Sequence, residues 1–344
     1  MKQYAYGVVA RFAEGKNVYG GQTIKTRNFT EELERHIGKE KVYRGDTSGW
    51  QKKPLKLVKQ MLQALATCEA VVIMPAQQGV LIIPRLLVFL RGLRKTKLQY
   101  VVIGGWLPEF LEKRKSLAHC LKKFDGIYVE TNTMKQALEQ QGFSNVVVLP
   151  NFKRIHVLDE NELVYADGEP YRLCTFSRVL KEKGIEDAAN AVRTINEKLG
   201  RTAYTLDIYG RVDANYEEAF AAFSKDFPEY IRYVGAVDGS KSTEIIKDYF
   251  ALLFPTYYHG EGYPGTLLDA FSAGVPAIAS DWHYNREIIG EDKGFLYETK
   301  NVEALTKLLI KLQENPDELN AQKRACLNYA VSMKSEKLIK IFCK

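Results

Sequence analysis

The chain predicts an α/β fold of two Rossmann-like, doubly wound parallel-sheet domains facing a cleft. Three observations carry this expectation. Short apolar runs alternate with longer amphipathic segments along all 344 residues. The runs fall into two series, one ending near Leu149 and the other starting near Arg172. The stretch between them is polar, lacks a clear period and includes Pro150-Asn151 and Asp167-Gly168-Glu169-Pro170. Alternating strands and helices build parallel sheets, and this length is long for one core but comfortable for two.

The first series predicts strands at Tyr4–Ala10, Ala70–Met74, Tyr100–Ile103, Gly126–Val129 and Asn145–Leu149. The second predicts Arg172–Phe176, Tyr204–Tyr209, Ile231–Val234, Phe250–Phe254, Val275–Ala279 and Gly294–Tyr297. Several are continuous apolar runs, the mark of strands covered on both faces. Helical spacing fills the gaps. Gln22–His36 is amphipathic, and Lys53–Ala66 sets Leu55, Val58, Leu62 and Leu65 on one side. Lys135–Gln141 stops at Gly142, as a helix closed by a left-handed glycine does. Val302–Glu314 stops before Pro316. The expected domains are 1–155 and 156–327, with ligands in the cleft beyond the strands' carboxyl ends.

Composition excludes several classes. Apolar residues make up 46% and charged residues 26%, a soluble globular balance. The start, Met1–Phe12, does not read as a secretory leader, and the longest uncharged stretch, Ala70–Pro84, is too short and too polar to span a bilayer. Five cysteines without a C-x-x-C pattern argue against a disulfide framework or zinc knuckle and for a reducing, cytoplasmic setting. The charge is uneven. Residues 1–155 hold 26 Lys and Arg against 12 Asp and Glu, a net +14, whereas residues 156–344 hold 23 against 30, a net −7. A basic half suits an anionic membrane surface or a diphosphate-linked acceptor, and equally an ordinary solvated surface. Nucleic acid is not expected, since no zinc-finger spacing or RNP-like run is present. The segment Arg85–Lys97 mixes Leu, Val and Phe with five cations. It fits a membrane-surface helix or a helix packed on the first sheet with a solvated basic edge.

The chemistry concentrates in LLFPTYYHGEGYPGTLLDAFSAGVPAIASD, residues 252–281. An apolar strand enters a loop carrying Glu261. The loop turns through Gly262, Pro264 and Gly265 into a helix carrying Asp269. A carboxylate accepts two hydrogen bonds in a plane, which suits neighbouring sugar hydroxyls. Glycines before a helix leave backbone N–H groups open to phosphate. The same residues also fit a capping box in which Asp269 bonds back to the Thr266 N–H. Upstream, CTFSRVLKEKG sets Arg178 and Lys183 in a loop ahead of a helix beginning near Ile185. Two cations beside a helix start can clamp a diphosphate, and a solvated Lys-Glu-Lys run is the plainer reading.

Residues 252–281 resemble the E-x7-E segment of retaining glycosyltransferases with the GT-B fold, of the large family four, with Asp269 as the second acid. The resemblance is closest to bacterial enzymes that build capsular or exopolysaccharide units. It runs over nearly the whole chain and is strongest over 172–300. It implies a nucleoside-diphosphate sugar, UDP- or GDP-linked, as donor, a glycan or undecaprenyl-diphosphate-linked acceptor, and work at the inner face of the cytoplasmic membrane. It implies that Arg178 and Lys183 carry the leaving diphosphate, that Glu261 holds donor-sugar hydroxyls and Asp269 the ribose, and that Gly262, Gly265 and Thr266 assist. The glycine turn Gly20-Gly21 matches the donor-phosphate turn, and Val237, after Tyr233-Val234-Gly235, the base-contacting position. It also implies that the basic tail, about 328–344, forms a helix crossing back to the first domain. Many family members carry a His near Ile103–Pro108. This chain has Gly105 and Trp106 instead, and Trp106 is either a platform for an acceptor sugar or a packing residue. No Asp-x-Asp or spaced histidines suggest a metal, so none is expected. The G-x-G-x-x-G fingerprint of a nicotinamide enzyme is absent. A nucleotide-sugar epimerase, a glycan phosphorylase and a non-catalytic nucleotide-sugar binding protein stay open.

Overall fold

The computed structural model describes residues 2–15 and 21–344. The chain divides into two units, one of residues 1–154 with 333–344 and one of residues 155–332.

The first unit holds β1 (Tyr4–Ala10), β2 (Val42–Asp46), β3 (Cys68–Ile73), β4 (Lys97–Val101), β5 (Gly126–Val129) and β6 (Val146–Val148). They form one parallel sheet in the order β2-β1-β3-β4-β5-β6. The central strands are apolar toward their carboxyl ends, where helices cover both faces: Val71, Val72 and Ile73 of β3 and Tyr100 and Val101 of β4 are buried. β2 is the strand that the sequence does not announce. Its sequence Val-Tyr-Arg-Gly-Asp is short and half polar, as an edge strand paired only with β1 can be.

Helix Pro54–Thr67 covers this sheet with a face that overlaps the expected one only in part, at Leu65 and the half-buried Val58. Leu57, Met61, Ala64 and Leu65 are buried, while Leu55 is 84% exposed and Leu62 also faces outward. The basic tail is two helices rather than one: Lys323–Ser332 falls in the second unit and Ser335–Phe342 in the first. Ser335–Phe342 packs on Gly21–Ile37, and the Phe342 ring sits 4.8 Å from those of Phe29 and Tyr128.

The second unit holds β7 (Tyr171–Phe176), β8 (Tyr204–Tyr209), β9 (Ile231–Gly235), β10 (Ala251–Phe254), β11 (Ala277–Ser280) and β12 (Gly294–Tyr297). This sheet is also parallel, in the order β12-β11-β10-β7-β8-β9. Its core joins Leu173, Leu206, Ile208, Leu253 and Ile278 to Ala188, Val192, Ile195, Leu305 and Leu309 from the covering helices. The chain leaves β7 toward β8 on one side, and later returns through β10 to the other. Strand order therefore reverses between β7 and β10, and loops after those strands diverge to leave a crevice at their carboxyl ends. The register Leu252↔Cys174 sets Phe176 and Phe254, the last residues of the two strands, beside that crevice.

Candidate donor-binding site

Residues from both sides of the β7/β10 crevice meet there. The segment after β7 closes a short 3-10 turn, Lys181–Lys183, and enters helix Ile185–Leu199 through Gly184. Gly184 has φ +68°, and a Cβ on it would stand 2.2 Å from the Pro255 carbonyl oxygen. Only glycine lets the two loops approach this closely. The Tyr257 N–H then donates to the Glu182 carbonyl at 2.8 Å, stitching the loops together.

This stitching brings Lys183 to Glu261. Lys183 Nζ lies 2.5 Å from Glu261 Oε2, with the two side chains 10% and 12% exposed. Thr256 Oγ1 donates to the same oxygen at 3.1 Å. The Lys183 ammonium also sits over the Phe254 and Tyr258 rings, at 5.6 and 5.2 Å from their centroids. A half-dry ion pair over aromatic faces holds its geometry firmly. Arg178 is held loosely by contrast. Its guanidinium is 53% exposed and reaches Asp213 Oδ2 at 3.4 Å. An exposed contact of that length contributes little, so an incoming anion can replace it at small cost.

The second carboxylate is buried. Asp269 is 3% exposed and accepts from Ser242 Oγ at 2.5 Å. Its helix, Gly265–Ser272, has Pro264 at the N-cap position, which places Thr266 inside the first turn and removes the capping-box reading. Thr266 Oγ1 instead donates to the Phe176 carbonyl at 2.6 Å, fastening the helix to the end of β7. Gly265 opens this helix, and a Cβ there would meet nothing within 4 Å. The protein itself leaves that space empty. Gly262 is buried in the preceding turn. The neighbouring Tyr263 hydroxyl donates to Tyr329 at 3.1 Å, and burial, then the nearby Tyr329, pushes its pKa well up. Val237 follows β9 with its side chain 37% exposed.

The structure thus brings Lys183 and Glu261 into contact, and Thr266 against the strand that precedes Arg178. Thr256, Ser242, Tyr258 and Asp213 escape sequence reasoning. Thr256 lies five residues before Glu261, a spacing with no signature, and Ser242 reaches Asp269 across 27 residues. His259, on the loop ahead of Glu261, is exposed with its ring centroid 5.7 Å from that of His283. Gly21 is the first residue of helix Gly21–Ile37, while Gly20 lies outside the described residues. Trp106 is a packing residue: it is 6% exposed, its indole N–H donates to the Ile103 carbonyl at 2.7 Å, and Phe110 meets it edge-on. Its ring is spent on the core, which favours the packing alternative over the sugar platform. Among the described residues, no three His, Cys, Asp or Glu side chains gather as a metal site requires.

Residues 162–328 match the family described as glycosyl transferases group 1. The chain is 28% identical over 155 residues to the amylovoran biosynthesis glycosyltransferase AmsK of Erwinia amylovora, covering 42% of this chain and 37% of that protein. It is 31% identical over 178 residues to the GtfA subunit of the UDP-N-acetylglucosamine–peptide N-acetylglucosaminyltransferase of Streptococcus gordonii, covering 49% of this chain and 33% of that one. The match thus spans about a third of the length of these curated relatives. Among solved structures, Anabaena HepE in complex with UDP superposes with a TM-score of 0.73 at 11% identity, covering 98% of this chain and 97% of that one. Sucrose-phosphate synthase from Thermosynechococcus elongatus gives 0.72 at 13% identity, covering 99% and 98%. Residues 162–328, nearly all of the second unit, thus match the glycosyl transferases of group 1, and the chain carries the GT-B fold.

Proposed function

We propose that this chain is a retaining glycosyltransferase. It moves a sugar from a nucleoside-diphosphate donor to a glycan acceptor in surface polysaccharide biosynthesis. One observation carries the reading: Lys183 and Glu261 meet at the β7/β10 crevice, within the stretch that matches the family. Arg178 and Lys183 take the leaving diphosphate, and Glu261 takes donor-sugar hydroxyls. Asp269 takes the ribose, while the open space at Gly265 admits a phosphate to the N–H groups of Gly265 and Thr266. Val237 offers backbone groups to the base. The charge is carried by the two cations without a metal ion.

In the transfer, the bond from the anomeric carbon to the diphosphate oxygen breaks, and its electron pair leaves with the phosphate. The acceptor hydroxyl attacks from the same face, and its proton passes to the departing phosphate oxygen. Fixed cations stabilise the developing charge in a partly dry crevice. AmsK is named for amylovoran biosynthesis, the GtfA subunit for UDP-N-acetylglucosamine, and the HepE crystals hold UDP. The last two favour a UDP-sugar and AmsK a polysaccharide acceptor, although the GtfA enzyme is named for a peptide; a lipid diphosphate carrying that acceptor at the cytoplasmic face of the membrane is our own addition.

The test is release of nucleoside diphosphate from UDP- and GDP-sugars, with and without a lipid-linked glycan extract. The reading expects acceptor-dependent release and a product that keeps the donor's anomeric configuration. Conversion of donor without acceptor would indicate an epimerase. Donor binding without release in any extract would indicate a binding protein.

A further inference from the structure

We propose that the face built by helices Pro54–Thr67 and Ile83–Arg91 docks on an anionic lipid bilayer. The two helices pack against each other in the first unit. Each buries one apolar side, Leu57, Met61, Ala64 and Leu65 on the first, Ile83, Pro84 and Leu87 on the second. Each also turns large apolar side chains to solvent. Leu55 is 84% exposed, Phe89 80% and Leu93 fully exposed, with Ile82 about half exposed. Ile82 and Phe89 stand at i and i+7, on one side of the helix, and Leu93 follows the Gly92 turn that ends it. A helix apolar on both sides is not built for water on one of them.

The charge around this face identifies its partner. From Thr47 to Pro108 the sequence holds nine Lys and Arg, and Glu69 is the single acid. Lys52, Lys53, Lys56, Lys59, Arg85, Arg94, Lys95 and Lys97 are exposed. Arg91 reaches Asp125 at 3.6 Å, and the Arg94 guanidinium donates to the Leu90 carbonyl at 2.8 Å. A second copy docking through the same face would set this positive field against itself. Anionic headgroups complement it, while Leu55, Phe89 and Leu93 enter the acyl boundary. No described helix is long and apolar enough to cross a membrane, so the contact is one of lying on the surface.

This contact needs no nucleotide, so it stands or falls apart from the transfer chemistry. The experiment is co-sedimentation of the full chain with vesicles of phosphatidylcholine alone or with about one third phosphatidylglycerol. Binding is expected to the anionic vesicles, at least about tenfold above the neutral ones, and to weaken at high salt. Phe89→Ser with Leu93→Ser should lower it about tenfold or more with thermal unfolding unchanged, since both side chains are exposed. The charge-only pair Arg94→Gln with Lys95→Gln should also lower it about tenfold. Equal binding to both vesicles, or wild-type binding by both double variants, would overturn the proposal. So would a dimer in solution that the Phe89/Leu93 variant makes monomeric while vesicles stay unbound, since the face would then belong to a second copy.

Discussion

Lys183 Nζ lies 2.5 Å from Glu261 Oε2, across the point where the strand order of the second sheet reverses. Neither side chain alone suits this half-dry position. Removing one leaves the other charged and short of a partner, at a cost on the order of 1–3 kcal/mol, below the fully buried range because Thr256 still reaches Glu261. Lys183→Met and Glu261→Gln should each lower stability by that amount, and the double variant should cost less than their sum. Urea unfolding of the three variants measures this coupling. Strict additivity would show that the pair does not act as a unit.

Gly265 and Gly184 should respond oppositely to alanine. Gly265→Ala fits, since nothing lies within 4 Å of the added Cβ and the position is the first of a helix. Its stability should hold or rise by a few tenths of a kcal/mol, while nucleotide affinity falls about tenfold or more as the methyl fills the phosphate's space. Gly184→Ala should unfold the second unit more readily, because its φ is +68° and the Cβ meets the Pro255 carbonyl oxygen. Thermal unfolding combined with nucleotide titration separates the two. Unchanged affinity in Gly265→Ala would remove the phosphate from that turn.

Lys323 provides a pH-dependent readout of the second unit. It is 1% exposed, and burial brings its amine down to about 8, from an ordinary value of 10.5. The folded amine is the weaker base, so between about pH 8 and 10.5 the unfolded chain binds more protons and this group adds stability as pH rises. Below about pH 8 both states are protonated and the full cost of the buried charge is present. Lys323→Met should therefore be more stable than the wild type near neutral pH, by on the order of 2–3 kcal/mol. That advantage should shrink as pH climbs through the window. Urea midpoints of both proteins at several pH values check it, and a pH-independent gap would contradict the burial argument.

Sequence and structure agree where the physics is local. The run from Leu252 to Asp281 announces strand, turn, helix and strand because each signal sits within a few residues of the element it specifies. β2 stays hidden because Val-Tyr-Arg-Gly-Asp is short and half polar, so only its pairing with β1 marks it as a strand. Ser242 finds Asp269, and Thr266 finds Phe176, only after the sheet has formed. The face of helix Pro54–Thr67 is misread for a further reason. Leucine spacing points to the side carrying Leu55, Val58, Leu62 and Leu65, while the core keeps Leu65 of these and adds Leu57, Met61 and Ala64. An apolar stripe shows that something is to be covered, and the fold decides which stripe the core covers.

The most direct test of the account is calorimetric titration of the wild type and Arg178→Ala with UDP, GDP, ADP and CDP, each with and without magnesium. Arg178 is half exposed and holds Asp213 only loosely, so its loss should leave the fold intact. The account predicts selective binding of one nucleotide, unchanged by magnesium and weakened about tenfold or more by Arg178→Ala. Absence of binding to all four, or equal affinity in wild type and variant, would contradict the assignment of the β7/β10 crevice as a diphosphate site.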